Sequence, residues 1–193
     1  PQQARDLLDD LYDFINKLKD HNIDADSFYC LQPLAVKKKY DLSSFDGFTI
    51  NSSSDQSDIE KNLNNLESYA QWEVIDGQQR LTSIKLLLSY LRQSPSMIIS
   101  YETRPDSESF LNNIQNPPFD YKENSDFFHM YRVYETIELW FEEKLCELSE
   151  NKCINAEQLL EIEKNLNNAF ADLLINSERV QFIWYECNEE DPI

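Results

Sequence analysis

No stretch of this chain approaches the roughly 18 consecutive apolar residues that a bilayer-spanning helix needs, so none reads as a membrane span. The opening residues, PQQARDLLDDLYDF, lack a basic region followed by an apolar core and do not make a signal peptide. Four cysteines (Cys30, Cys146, Cys153 and Cys187) are scattered with no C-x-x-C pair. Without a secretory signal they read as reduced thiols, and a cytoplasmic location is expected. Histidine is limited to His21 and His129, neither with a Cys, His or carboxylate partner at metal-ligand spacing, which argues against zinc. Basic residues are also short, at 17 Lys and Arg against 36 Asp and Glu, for a net charge of −19. DNA binding draws most of its affinity from cations on phosphates, so such a surface repels a duplex. DNA is therefore expected as a partner only through the rest of a longer protein or through a partner subunit. A phosphate-bearing small molecule stays open, because one arginine and a helix N-terminus can hold it against an acidic background. Glycine is as scarce as histidine: only Gly47 and Gly77 occur.

What is present is enough for a folded domain. The chain has 193 residues, of which 41% are hydrophobic and 12% aromatic, as expected of a globular core rather than a disordered segment. The absence of an initial methionine, and an end just past an apolar strand, read as a piece of a longer protein. Leu7, Leu8, Leu11, Phe14, Ile15 and Leu18 recur at three- and four-residue spacing and predict a helix over 3–19. Ser27–Val36 reads as a strand, with Pro33 favouring an edge position or a bulge. A turn-rich loop around Gly47 and a short polar helix over 58–69 follow. Trp72–Ile75 is a short strand, Leu81–Leu91 a one-sided amphipathic helix, and Ser96–Glu102 another strand. A short helix capped by Asp106 or Ser107 comes next, and Pro117 and Pro118 break it off. Longer helices are expected over 126–148 and 156–176, then a strand of buried character in RVQFIWYEC. The total is an α+β domain of about four strands, small-sheeted at first and mainly helical afterwards, divided at 1–105 and 106–193.

The segment QWEVIDGQQRLTSIKLLLSYL holds one of the two glycines between a strand and a helix. Asp76 is a favoured N-cap, and Gln79, three residues on, completes a capping-box pattern. Glycine relieves the turn. Capping leaves Gln78 and Arg80 without a reason. A cation in the first helical turn opposes the helix dipole by about 0.3–1 kcal/mol, and becomes favourable once an anion is bound. Free N–H groups, a glycine allowing close approach and a guanidinium fork make a phosphate cradle. Thr82 and Ser83 add hydroxyl donors. Spacing alone leaves capping and anion binding both open.

EVIDGQQRLTSIKLLL resembles the signature of the GmrSD-type restriction endonuclease N-terminal domains, within the ParB/sulfiredoxin-like nucleotidase superfamily. LLDDLYDF, SFYCLQPLAV, YETRPDSESFL, NSDFFHMYRVYETIELWF and VQFIWYE are similar to other blocks of that family. The family's Ile-Pro-x-(Tyr)-Gln-Arg stretch ahead of the first helix, its Phe-x-x-x-Asn block and a His-Asn-His nuclease segment are not in this sequence. The resemblance implies a ParB/sulfiredoxin-like sheet and a nucleotide-binding, NTP-hydrolysing domain of a prokaryotic phage-defence protein acting on modified DNA. It implies a nucleoside triphosphate with magnesium as cofactor. Gly77, Gln78, Arg80, Thr82 and Ser83 would bind the nucleotide. Asp76, Gln79 and Arg80 would take part in chemistry, the glutamines orienting a water or touching the nucleotide. With pieces missing, activity of this segment by itself is not assured.

Other features have simpler explanations. Arg104 and Asp106 lie near enough in sequence to approach the same pocket, but a capped helix start after a proline turn accounts for them. HMYRVYETIELWF spaces Tyr131, Tyr134, Ile137 and Phe141 as a helix core, not as a base-stacking surface. Lys37–Lys39 form the sole basic cluster and read as a solvated strand end. The competing functional class is a non-catalytic interaction module, whose turn is structural and whose acidic surface meets a basic partner.

Overall fold

Gln2–Lys19 form helix α1 in a computed structural model that describes residues 1–24, 26–40, 70–93, 97–149 and 155–187. The expected loop around Gly47 and the polar helix over 58–69 lie outside the described residues. After α1 come strand β1 (Tyr29–Tyr40), strand β2 (Ala70–Asp76) and helix α2 (Gln78–Tyr90). Helix α3 (Asp106–Asn112), a 3-10 turn (Tyr121–Glu123), α4 (Ser125–Ser149) and α5 (Ala156–Ala171) follow. A π-helical turn (Asp172–Asn176) extends α5, and strand β3 (Val180–Glu186) closes the series. Helices and a small mixed sheet make this an α+β fold. The chain divides into two compact units, one of Pro1–Leu31 with Gln79–Gln181, the other of Gln32–Gln78 with Phe182–Ile193.

The first unit is helical, and its core follows from side-chain periodicity. Ala4, Leu8, Leu11 and Ile15 recur on one face of α1 and are all buried. Lys17 and Lys19 in the last turn complement the helix dipole. From α4, Met130, Tyr134, Ile137, Trp140 and Phe141 enter the same core, joined by Leu166 and Phe170 of α5. Trp140 is the hub. Its ring meets Tyr12, Phe141 and Phe170 at centroid distances of 5.7, 5.1 and 5.5 Å. Its Nε1–H donates to Asp9 Oδ1 at 2.8 Å, so the buried indole is satisfied by α1. Both long helices begin on asparagine caps. Asn124 Oδ1 accepts from the backbone N–H of Asp126, and Asn155 and Gln158 exchange side-chain and backbone bonds in a full capping box.

Helix α2 departs from the expected one-sided stripe. Ile84, Lys85, Leu86, Leu87 and Leu88 are all buried, more than a full turn, so this helix is covered on every side there. Lys85 is tolerated because its Nζ donates to the Met97 carbonyl at 3.1 Å. The strand expected over 96–102 is not formed. Residues 97–101 alternate in exposure as a strand would, but no ladder pairs them, and a turn follows at Glu102 and Thr103. Side chains from α2 bind this segment instead. The cap expected of Asp106 or Ser107 is also absent. Asp106 is the first helical residue, Pro105 holds the cap position with no side-chain bond, and Ser107 is buried.

The sheet has three strands among the described residues, rather than four, in the order β2-β1-β3. β1 and β2 are antiparallel, from Ala35 opposite Asp76 to Tyr40 opposite Ala70, with an irregularity between Ala35 and Val36. The Tyr29 N–H bonds the Arg179 carbonyl and the Cys187 N–H bonds the Val36 carbonyl, an advance in the same sense that makes β3 parallel to β1. Pro33 therefore lies on the middle strand and not at an edge, ahead of the first β1–β2 pair. β3 is an edge strand, and its expected burial fails: consecutive Ile183, Trp184 and Tyr185 are each about half exposed, so neither face of the strand is fully covered there. In the second unit Trp72 meets Trp184 edge-on at 4.9 Å, and Lys38 lies over Trp72 and Tyr40.

Phe170 is fully buried against Trp140 and Phe141. Phe170→Ala is expected to cost about 3–5 kcal/mol in denaturant unfolding through the cavity it leaves. Burial, ahead of nearby carboxylates, pushes the phenols of Tyr90 and Tyr134 up to about 12. An unfolded phenol ionises near 10, so the stabilisation is complete below pH ~10 and lost as pH rises towards about 12. Tyrosinate absorbance and helical ellipticity are expected to change together across that window; phenol ionisation that leaves the helices intact would contradict it.

Candidate functional site

The motif singled out in the sequence sits where β2 turns into α2. Asp76 is the last residue of β2, opposite Ala35, and is exposed. Gly77 stands between strand and helix with φ 94°, a left-handed value that a Cβ disfavours, and it is buried. The helix begins at Gln78, so Gly77 takes the cap position that was expected of Asp76, and Gln79 becomes the second helical residue. The capping-box register is therefore displaced by one. Gln78 is exposed and its Nε2 donates to the Val74 carbonyl at 2.8 Å, tying the turn back to its own strand.

Gln79 to Ser83 belong to the helical unit. Gln79 is exposed, and its carbonyl accepts the Ser83 hydroxyl at 2.9 Å. Arg80 is half-buried with its Nε shielded from solvent, in the first turn of α2, where the dipole opposes a cation. Thr82 lies within hydrogen-bond distance of the Tyr101 phenol, Oγ1 to Oη 2.8 Å. At 3.6 residues per turn, Ser83 lies between Gln79 and Arg80 around α2, about 40° from the first and about 60° from the second, whereas Thr82 lies about 160° from Arg80. The two hydroxyls thus face different ways, and each has a partner within the unit. Neither belongs to the first helical turn, whose N–H groups have no partner within the helix. Tyr101 is the residue that sequence reasoning missed. It is preceded by no motif, and only the packing of 97–101 on α2 brings it to Thr82.

Arg104 follows in the same unit. Its guanidinium lies over the Tyr101 ring, 4.9 Å from the centroid, and its Nη1 donates to Asp126 Oδ1 at 2.8 Å. Asp106 is an exposed first residue of α3. Among the described residues, no three His, Cys, Asp or Glu gather into a metal site. Cys30, Cys146 and Cys187 are free thiols. No helix among the described residues is long and apolar enough to cross a membrane.

Residues 1–193, the whole chain, match the family described as GmrSD restriction endonuclease, N-terminal domain. The chain belongs to that family. No curated protein and no solved structure matches it. Membership of the GmrSD N-terminal domains assigns the chain to the restriction endonucleases of phage defence.

Gly77 is expected to be the least replaceable residue of the turn. Gly77→Ala would place a methyl group at a left-handed φ in a buried position. The expected loss is about 1–2 kcal/mol from the backbone alone, read as a lower denaturant midpoint. A midpoint unchanged from wild type would show that the turn does not need its glycine.

Proposed function

We propose that this domain binds a nucleoside triphosphate at the Asp76–Ser83 turn and hydrolyses it in the service of a restriction endonuclease acting on modified DNA. What carries the reading is Gly77, buried and left-handed, directly ahead of a helix whose first turn holds Arg80. Capping favours a glycine or an acid at such a place and gives no preference for a cation, which the helix dipole opposes there. A phosphate removes the conflict, because the N–H groups of the first turn and the guanidinium then act on the same charge.

The roles follow from position. Arg80 and the N–H groups opening α2 hold phosphate oxygens, and the missing Cβ of Gly77 allows their close approach. Gln78 already gives its amide nitrogen to Val74, so Gln79 is the glutamine assigned to a water or to the nucleotide. Thr82 and Ser83 serve chiefly to shape the helix, through Tyr101 and the Gln79 carbonyl. Magnesium fits this turn only as an ion that arrives with the phosphates. Asp76 is the one carboxylate there, and magnesium takes one or two carboxylates together with substrate oxygens and water. When bound, it would neutralise phosphate charge. Contact with DNA falls to the rest of the natural protein or to a partner subunit, since this chain carries a net charge of −19.

Calorimetric titration of the natural full-length protein with nucleoside triphosphates and magnesium tests the reading. Wild type is expected to bind, and Arg80→Ala to bind roughly 10- to 100-fold more weakly, the worth of a charged hydrogen-bonded contact. Absence of binding to wild type would leave the acidic interaction module as the function.

A further inference from the structure

Among the described residues, β3 pairs with β1 on one side and with no strand on the other. The bonds at its two ends, Tyr29 N–H to the Arg179 carbonyl and Cys187 N–H to the Val36 carbonyl, turn odd-numbered residues towards β1. Backbone groups alternate along a strand, so Phe182, Trp184 and Glu186 direct theirs away from the sheet. Exposed edges are normally blunted by charged residues or proline. β2, the other edge, carries Glu73 and Asp76. From Gln181 to Tyr185, β3 has neither charge nor proline, and Ile183, Trp184 and Tyr185 stand half-exposed.

We propose that this edge pairs with the same strand of a second copy of the chain, antiparallel about a two-fold axis at Trp184, to make one continuous sheet. The proposal stands apart from the nucleotide reading. Outward-facing residues form the hydrogen-bonded pairs: Trp184 opposite Trp184 of the second copy, and Phe182 opposite its Glu186. Ile183 then lies opposite Tyr185 of the second copy, and Tyr185 opposite its Ile183. Each is a β-branched residue against an aromatic ring, a cross-strand pair that stabilises sheets. A two-fold interface makes every such contact twice.

Charge selects both the occupant and its direction. A chain of net charge −19 repels its own copies over most of its surface, and the stretch from Gln181 to Tyr185 is a neutral place where two copies can meet. Antiparallel pairing keeps the two Glu186 carboxylates at opposite ends of the interface, about 13 Å apart along the strands. That exceeds the Debye length of about 8 Å at physiological salt, so their repulsion is screened. Parallel pairing would set the same two carboxylates side by side.

Sedimentation velocity on the natural full-length protein over a range of concentrations, joined to amide exchange, tests the pairing. Wild type is expected to dimerise, and the Phe182, Trp184 and Glu186 amides to exchange about 10-fold more slowly, or slower still, where the dimer prevails. Ile183→Lys with Tyr185→Lys sets like charges opposite each other and is expected to raise the dissociation constant about 10-fold or more. Ile183→Lys with Tyr185→Glu sets opposite charges there and is expected to recover part of the loss. Glu186→Pro removes one outward N–H and no bond to β1, so it is expected to weaken the dimer and leave the helical ellipticity unchanged. A monomer at every concentration up to roughly 100 μM overturns the proposal, as does a dimer that the lysine pair and Glu186→Pro leave as tight as wild type. If the lysine pair unfolds the chain, Glu186→Pro decides alone. Slow exchange of the three amides in a monomer also overturns it, and assigns the edge to another part of the natural protein.

Discussion

Trp140 is almost wholly enclosed, yet its indole N–H cannot be left without an acceptor, and Asp9 supplies one from the first helix of the chain. An unsatisfied buried donor costs about 1–3 kcal/mol, so α1 must present Asp9 at that spot whenever Trp140 is buried. The ring contacts with Tyr12, Phe141 and Phe170 then fix α1, α4 and α5 against one another. Leu86 and Leu87 of α2 belong to the same core, so the orientation of the helix carrying Arg80 is inherited from this packing. Arg80, on a helix that is buried all round at residues 84–88, is held more rigidly than it would be on a loop.

That burial also explains the odd composition of α2. A surface helix would need only an apolar stripe, whereas this one brings a lysine into the interior and gives it the Met97 carbonyl. The same bond anchors the segment leading to Tyr101. Lys85 and Thr82 together hold 97–101 along α2 without a β-ladder, and the segment ends at Arg104. The family membership says what kind of protein uses this scaffold; the packing says why α2, the 97–101 segment and Arg104 keep fixed relations within the first unit.

Helices were legible in the sequence because their periodicity is written in consecutive residues. Leu8, Leu11 and Ile15 mark α1 to within a residue, and Tyr134, Ile137 and Phe141 mark α4. Strands were less so. Residues 97–101 alternate as a strand does, but pairing depends on a neighbour that local sequence does not specify. Conversely, RVQFIWYEC is apolar enough for a buried strand, yet Ile183, Trp184 and Tyr185 lie half exposed on an edge strand, because cover for its faces is supplied by other elements that local sequence does not specify. Capping showed the same limit. Asp76-x-x-Gln79 and Asn155-x-x-Gln158 read alike, yet the reciprocal bonds form at Asn155, while at the first place the helix starts one residue later. Within the candidate site, the hand-over at Gly77 was visible from its neighbours. The approach of Tyr101 to Thr82 was not, because it is made by packing across nineteen residues.

The bond between Asp9 and Trp140 spans 131 residues of chain. During synthesis α1 emerges before its partners, with Leu8, Leu11 and Ile15 on its surface, and Trp140 follows Asp9 only 131 residues later. At about 5–20 residues per second, α1 waits on the order of 10 s for the ring that covers it. Non-local closure of this kind slows folding and leaves the early helix open to wrong associations in the meantime. The acids spaced between its apolar positions, Asp6, Asp9, Asp10 and Asp13, keep that nascent helix charged and soluble until α4 and α5 arrive.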